Sequence, residues 1–339
     1  MNYSYQQNNT PPNPFAFFEQ QTRALMLKAK ERKRLMLLGS ISGVCIILYV
    51  LLQNVLSFLI SFEPFLSVYV RSLEFRSIIN IVFSIVGLLG PFALGAYLLH
   101  KKKILPSLAF ERPNCFPLML TSVPFGFLVC LAGNYLTSVF VSMTRASGVE
   151  LSAPEYTVPH SVIGRILYVV SIAVVPALVE EFAVRGVVMQ PLRRYGDRFA
   201  IIVSAAVFGI LHGNLVQAPF AFIAGLGMGY AVCLTNSVWT GVLIHFCNNF
   251  YSTLMDFLIA DVADEALLNM IWNLSQIILY SVCIVGSVLF ALVKGRKRLE
   301  PAQVKLDTNT RITAYFVNVP MIIAIIIMLV ITAQYVHLI

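Results

Sequence analysis

The chain has 339 residues, of which 58% are hydrophobic and 12% are charged, and its formal net charge is +8. Soluble globular domains carry about 25% charged residues, so this composition, with a mean hydropathy of +0.80, excludes an ordinary soluble protein and indicates one that crosses a membrane several times. The positive charge does not indicate nucleic-acid binding. The basic residues lie in short loops between apolar segments, which is typical of loops that face the anionic cytoplasmic leaflet.

Residues 1–35 are predicted to form a cytoplasmic N-terminal segment, followed by an integral membrane domain over 36–339. The first 14 residues are rich in Pro, Asn and Gln and are predicted to be disordered, and they show no cleavable signal peptide. Residues 15–35 mix large apolar side chains with six Lys and Arg residues. This mixture predicts an interfacial basic helix that leads into the first span.

The apolar segments that follow predict an all-α transmembrane bundle. The fifth segment is too short to cross about 30 Å of hydrocarbon unaided, so the expected number of spans is eight or nine. The segments cover residues 36–61, 76–100, 115–143, 162–190, 199–212, 217–235, 238–259, 270–294 and 314–337.

The distribution of charge favours nine spans with a cytoplasmic N-terminus. This arrangement places every basic loop on the cytoplasmic side and the acidic loop at 261–265 on the opposite side. The compact loops, together with the absence of organelle signals, favour a bacterial plasma membrane.

Ionisable side chains interrupt three of these apolar segments. Each one costs about 2.5–3.5 kcal/mol at membrane depth on insertion scales, so we expect them to meet in one polar intramembrane cavity. The predicted boundaries place all three groups about 12–18 Å from the cytoplasmic side, given a rise of 1.5 Å per residue. The groups are Glu180 and Glu181 with Arg185, then His212, then His245 with Asn249.

The positions of Glu180 and Glu181 on the helix predict different roles for the two carboxylates. Glu181 and Arg185 are four residues apart in the order that favours an ion pair, and this pair is predicted to be structural. Glu180 points about 100° away from that face, so it must be satisfied across helices and is the better general base. His245 and Asn249 share one face of their helix, where both could donate hydrogen bonds to an oxyanion. Alternatively, His245 could bind a metal directly while Asn249 supports the metal site without binding the ion. An interhelical clamp is the structural alternative.

A glycine-rich segment at 225–229 is superficially similar to a phosphate-binding loop. It lies in the middle of a span, and Ala221, Gly225 and Gly229 follow at intervals of four residues. This pattern predicts a stripe of small residues for close helix packing.

Three motifs together resemble those of the CPBP family, which contains the CAAX proteases and bacteriocin-processing enzymes and is also called the Abi family. The motifs are EEFAVRG at 180–186, FGILH at 208–212 and HFCNN at 245–249. The resemblance covers about residues 160–255, the predicted protease-like core. The HExxH, GxSG and GxGD motifs of other membrane protease types do not occur in the sequence.

The resemblance implies an all-helical membrane protease with a polar cavity that opens toward the cytoplasm or the inner leaflet. By analogy, Glu180 and His212 would activate a water molecule, while His245 and Asn249 would stabilise the tetrahedral oxyanion. The residues in supporting positions are Glu181, Arg185 and Phe208.

The sequence is compatible with both a metal-dependent and a metal-independent mechanism. Glu180, His212 and His245 could bind zinc and leave one position for a water molecule. A metal-independent glutamate mechanism is equally compatible with these residues.

The sequence therefore predicts an intramembrane endopeptidase that acts on a lipidated or hydrophobic peptide or protein within membrane lipid. Two alternatives remain: a non-proteolytic bacteriocin-immunity protein or peptide-binding scaffold, and a proton- or ion-coupled transporter. A transporter is disfavoured because no inverted repeat is evident.

Overall fold

The apolar segments form helices because, in hydrocarbon, a helix is one of the few structures that satisfies every backbone N–H and C=O group. A computed structural model describes residues 14–339, and this part of the chain contains eleven helices and two short strands. The predicted disorder of residues 1–14 falls almost wholly outside the described residues. The helices are Pro14–Ile60 (α1), Phe65–Arg71 (α2), Leu73–Lys101 (α3), Phe116–Ala146 (α4), Val162–Tyr195 (α5), Asp197–Leu211 (α6), Ala218–Thr235 (α7), Val238–Asp261 (α8), Glu265–Lys294 (α9), Thr308–Phe316 (α10) and Val319–Ala333 (α11).

This architecture confirms the prediction of an all-α, polytopic membrane protein. Six helices are long and apolar enough to cross a membrane (α1, α3, α4, α5, α7 and α9), and the number rises to seven if α10 and α11 count as one bent span. Helix α6 has 15 residues, which is about 22 Å of helix. Helix α8 has 24 residues, but its polar side chains lower its hydropathy. The predicted total of nine spans is therefore not confirmed.

Two predicted segment boundaries differ from the structure. The basic segment at 15–35 and the first span form one continuous helix, α1. The predicted ninth span, 314–337, is broken into α10 and α11, which meet at an angle of 72°. Asn318 causes the break, because its side-chain oxygen accepts the N–H of Met321 at 3.2 Å and Pro320 starts the new helix.

Helix α5 contains two π-helical segments, Val170–Val174 and Phe182–Met189. Such segments insert an extra residue into a helical turn and occur frequently at functional sites. Here they lie on either side of the short α-helical stretch that carries Glu180 and Glu181. A third π-helical segment, Phe83–Leu89, lies in α3.

The small-residue stripe of α7 packs closely against α6. A Cβ added at Gly225 would lie 3.0 Å from the Cβ of Ala205, and one added at Gly229 would lie 3.3 Å from the side chain of Ile201. Ala221 is fully buried. The prediction that these residues serve packing is confirmed.

A two-stranded antiparallel sheet joins two distant parts of the chain. Strand β1, Val149–Leu151, follows α4, and strand β2, Val336–Leu338, follows α11. The N–H of Ser152 also donates to the carbonyl of Tyr335 at 3.0 Å. These bonds fix the start of the loop 152–161, which leads into α5.

Candidate active site

The predicted ion pair between Glu181 and Arg185 is present. Arg185 Nη1 donates to Glu181 Oε1 at 2.7 Å, and both side chains are fully buried. The guanidinium carbon of Arg185 also lies 4.6 Å from the ring centre of Phe208, a cation–π contact. Phe208 therefore supports the site by packing on the arginine.

His245 lies between the two carboxylates. Its Nδ1 is 3.2 Å from Glu181 Oε1, and its Nε2 is 3.9 Å from Glu180 Oε2. Because Glu181 is an acceptor held by an arginine, the ring must donate through Nδ1–H. Nε2 is then the ring atom that faces Glu180.

Glu180 differs from Glu181 in that it has no arginine partner. Its Oε2 is buried and accepts no hydrogen bond from the described residues, although about 25% of the side chain is exposed. A separation of 3.9 Å from His245 Nε2 is too long for a direct hydrogen bond, but one water molecule can bridge two such groups. The nearest basic group to Glu180 is therefore on another helix, α8, and no direct hydrogen bond joins the two.

His212 lies at the end of α6, where Gly213 has a φ of +62°. Its Nδ1 donates to the carbonyl of Phe208 at 2.8 Å, which leaves Nε2 as an acceptor. The rings of His212 and His245 both pack edge-to-face on Phe208, with ring centres 4.9 Å and 5.8 Å from its own. Phe208 therefore brings the two imidazoles to the same part of the bundle.

Asn249 anchors α8 to the first π-helical segment of α5. Pro176 has no N–H to donate to the carbonyl of Ile172, four residues earlier, so that carbonyl lacks its usual helical partner. The side-chain amide of Asn249 donates to this carbonyl at 3.0 Å. An amide nitrogen carries two hydrogens, so one donor remains for a ligand. The role of Asn249 toward an oxyanion stays a prediction.

The proposed zinc ligands do not form a metal-binding group in this structure. Within residues 14–339, no three His, Cys, Asp or Glu side chains are placed to hold one metal ion. Glu180, His212 and His245 in their present arrangement therefore do not form a zinc site. Zinc dependence stays an untested prediction.

Two further residues interact with the carboxylates, one through charge and one through contact, and the sequence motifs did not identify them. Crowding of protein atoms around the hydroxyl of Tyr156 raises its pKa, and the negative charge of Glu180 raises it further. Tyr156 belongs to the loop 152–161, for which no motif gave a signal. Gly241 lies four residues before His245 on the same face of α8, and a Cβ added there would collide with Glu181 Oε2.

Comparison with known proteins identifies the region that holds this site. Residues 162–251 match the family model of the type II CAAX prenyl endopeptidases, Rce1-like, while the rest of the chain lies outside the match. No curated protein and no solved structure matches the chain significantly. The matched region contains all four candidate catalytic residues and the ion pair behind them. The match over 162–251 supports the CAAX-protease (CPBP) family of membrane peptidases, which the three sequence motifs also resemble.

Proposed function

We propose that the protein is an intramembrane endopeptidase that hydrolyses a peptide bond with a water molecule activated by Glu180. One observation carries this proposal: the unpartnered Oε2 of Glu180 faces His245 Nε2 across 3.9 Å, inside the region that matches the protease family. A general base must lie within hydrogen-bond or one-water reach of the proton that it removes. Glu180 and the nearby imidazole meet that condition for a water held between them.

The proposed reaction uses the protein's own side chains. Glu180 accepts a proton from the water as its oxygen attacks the carbonyl carbon, and later gives this proton to the leaving amine. The Nε2 of His212 accepts a hydrogen bond from the second O–H of the water and so orients the water.

The oxyanion of the tetrahedral intermediate is stabilised from α8. His245 is the first donor: with its Nδ1–H bound to Glu181, Nε2 is the ring nitrogen from which a proton can be donated to the oxyanion. The free amide hydrogen of Asn249 is the second donor. Glu181 and Arg185 thus position His245 without touching the substrate.

A lipidated or hydrophobic peptide or protein is the proposed substrate class. The matching family is described as prenyl endopeptidases, and a carboxylate buried among membrane helices is reached most readily by a substrate that enters from lipid. The prediction of a bacterial host does not determine which lipid group the substrate carries.

The test is cleavage of quenched fluorescent peptides, prenylated and unprenylated, by the full-length protein in proteoliposomes. Glu180→Gln is expected to reduce the rate by about 10²- to 10⁴-fold, the usual contribution of general-base catalysis. Glu265→Gln, which changes an exposed carboxylate at the start of α9, is the matched control and is expected to keep the activity. Full activity in Glu180→Gln would contradict the proposal, and a cellular phenotype that survives this change would favour a peptide-binding scaffold.

A second arm of the experiment addresses the metal. Activity is measured before and after treatment with a chelator, alongside metal analysis of the purified protein. The glutamate mechanism proposed above predicts that activity survives chelation. Loss on chelation and recovery with zinc would require Glu180, His212 and His245 to rearrange into a metal site.

A further inference from the structure

A polar seam runs along the interface of α5 and α8, from the candidate active site toward one end of α8. Four polar contacts join the two helices, and residue numbers rise along α8 while they fall along α5, so the helices are antiparallel. Each contact is called one level of the seam, counted from the active site. The contacts are His245 to Glu181 at 3.2 Å, Asn249 to the carbonyl of Ile172 at 3.0 Å, Tyr168 to Asp256 at 3.2 Å and Arg165 to Asp261 at 2.7 Å.

A pocket of about 260 Å³ opens at the third level of the seam. It is lined by Tyr156, Val158, Tyr168, Asp256, Ile259 and Ala260. The proposed reaction uses none of these side chains. Tyr156 lines the pocket and belongs to the loop 152–161, which leads into the helix that carries Glu180.

Asp256 is the one charged residue in the pocket lining. Its Oδ2 accepts the hydroxyl of Tyr168 at 3.2 Å, and no Lys, Arg or His of the described chain lies within ion-pair distance of it. The neighbouring Arg165 is instead engaged by Asp261. The carboxylate of Asp256 therefore has acceptor capacity and negative charge, and no cationic side chain of the described residues neutralises it.

One carboxylate beside two tyrosine rings, with apolar walls, is the chemistry that recognises an organic cation. The carboxylate supplies the opposite charge, the ring faces attract the cation, and Val158, Ile259 and Ala260 can cover an alkyl stem. We propose that this pocket binds the side chain of a Lys or Arg residue of the peptide substrate. This proposal rests on the proposed function.

The length of the seam fixes where that basic residue lies in the substrate. Asp256 follows His245 by eleven residues on α8, which is about 16 Å along the helix axis. An extended peptide covers about 3.3–3.6 Å per residue, and the basic side chain itself spans part of the distance. The basic residue is therefore three to five positions from the cleaved bond.

The binding test uses full-length Glu180→Gln protein in detergent, which can hold a peptide without cleaving it. The probes are fluorescein-labelled hydrophobic decapeptides in pairs that differ by one Lys or norleucine, and affinity is read from fluorescence anisotropy. The Lys peptide is expected to bind about tenfold more tightly, which corresponds to one well-formed charge interaction. Adding Asp256→Asn is expected to bring the ratio of the two affinities to about one, whereas adding Glu265→Gln, at an exposed carboxylate outside the pocket lining, is expected to leave it unchanged.

A competition arm needs no change at Asp256. Butylguanidinium is expected to displace the Lys peptide at concentrations that leave the norleucine peptide bound. An affinity ratio that persists in Asp256→Asn, or equal displacement of both peptides, would overturn the proposal.

Cleavage by the wild-type protein separates the two proposals. With the Lys moved along the decapeptide, the lowest KM is expected when it lies three to five residues from the cleaved bond. Cleavage with no such preference refutes the cation pocket and leaves the peptidase intact. A Lys preference in binding that depends on Asp256, without cleavage of any peptide, supports the pocket and refutes the peptidase.

Discussion

Glu180 and Glu181 are neighbours in sequence but have opposite roles because their surroundings differ. Glu181 is fully buried and is held by both Arg185 and His245. Glu180 has no arginine partner, and about 25% of its side chain is exposed. The first carboxylate therefore contributes to the architecture, and the second remains free to exchange a proton.

A double-mutant cycle tests this division. Glu181→Gln or Arg185→Met alone is expected to lower the free energy of unfolding by about 3–5 kcal/mol, because each leaves an uncompensated buried charge. The double variant is expected to be less destabilised than either single one, and Glu180→Gln is expected not to be destabilised at all. Denaturant unfolding of the purified variants in detergent measures these differences. Equal stabilities of Glu181→Gln and Glu180→Gln would contradict the assignment.

Part of this site could be predicted from local spacing. The i, i+4 relation gave the pair of Glu181 with Arg185, and the helical rotation separated Glu180 from it. The contact of His245 with Glu181 joins residues 64 positions apart, and it depends on how α8 is rotated against α5. Tertiary packing sets that rotation, so no sequence spacing could reveal the contact.

At the scale of elements, the site depends on how closely α8 approaches α5. Gly241 allows the approach, since any side chain there would occupy the position of the Glu181 carboxylate. Its signal in the sequence is weak, because a glycine one turn before His245 is also compatible with simple small-residue packing.

Gly241→Ala is therefore expected to destabilise the protein by about 1–3 kcal/mol, the usual effect of overpacking, and to reduce peptide cleavage because it displaces Glu181 and with it His245. The comparison is Gly90→Ala in α3, where an added Cβ meets only the carbonyl oxygen of Ile85 at 3.9 Å. Unfolding and cleavage assays on both variants provide the measurement. An unchanged Gly241→Ala protein would show that α8 can shift without consequence for the site.

Helix existence was easier to predict than helix continuity. Apolar length located every long helix, but the break between α10 and α11 depends on one side-chain cap at Asn318. The π-helical segments of α5 had no sequence signal beyond Pro176, since proline alone is compatible with a plain kink.

At the scale of the whole molecule, charge asymmetry predicts which loops face the cytoplasm. Ala263 precedes α9 and Arg296 follows it, both are exposed, and the helix between them is long enough to span the membrane. In a background without the native cysteines, Ala263→Cys is expected to react with an impermeant maleimide added to intact cells, whereas Arg296→Cys is expected to react only after the membrane is permeabilised. Labelling of both from the same side would refute the predicted topology.

The strand pair β1 and β2 has a consequence for biosynthesis. Ser152 contacts His337, a residue 185 positions later in the chain. The start of the loop 152–161 can be fastened by β2 only after the ribosome has produced α9, α10 and α11. A nascent chain that already contains every motif residue thus still lacks the strand pairing that holds the loop before α5 in place.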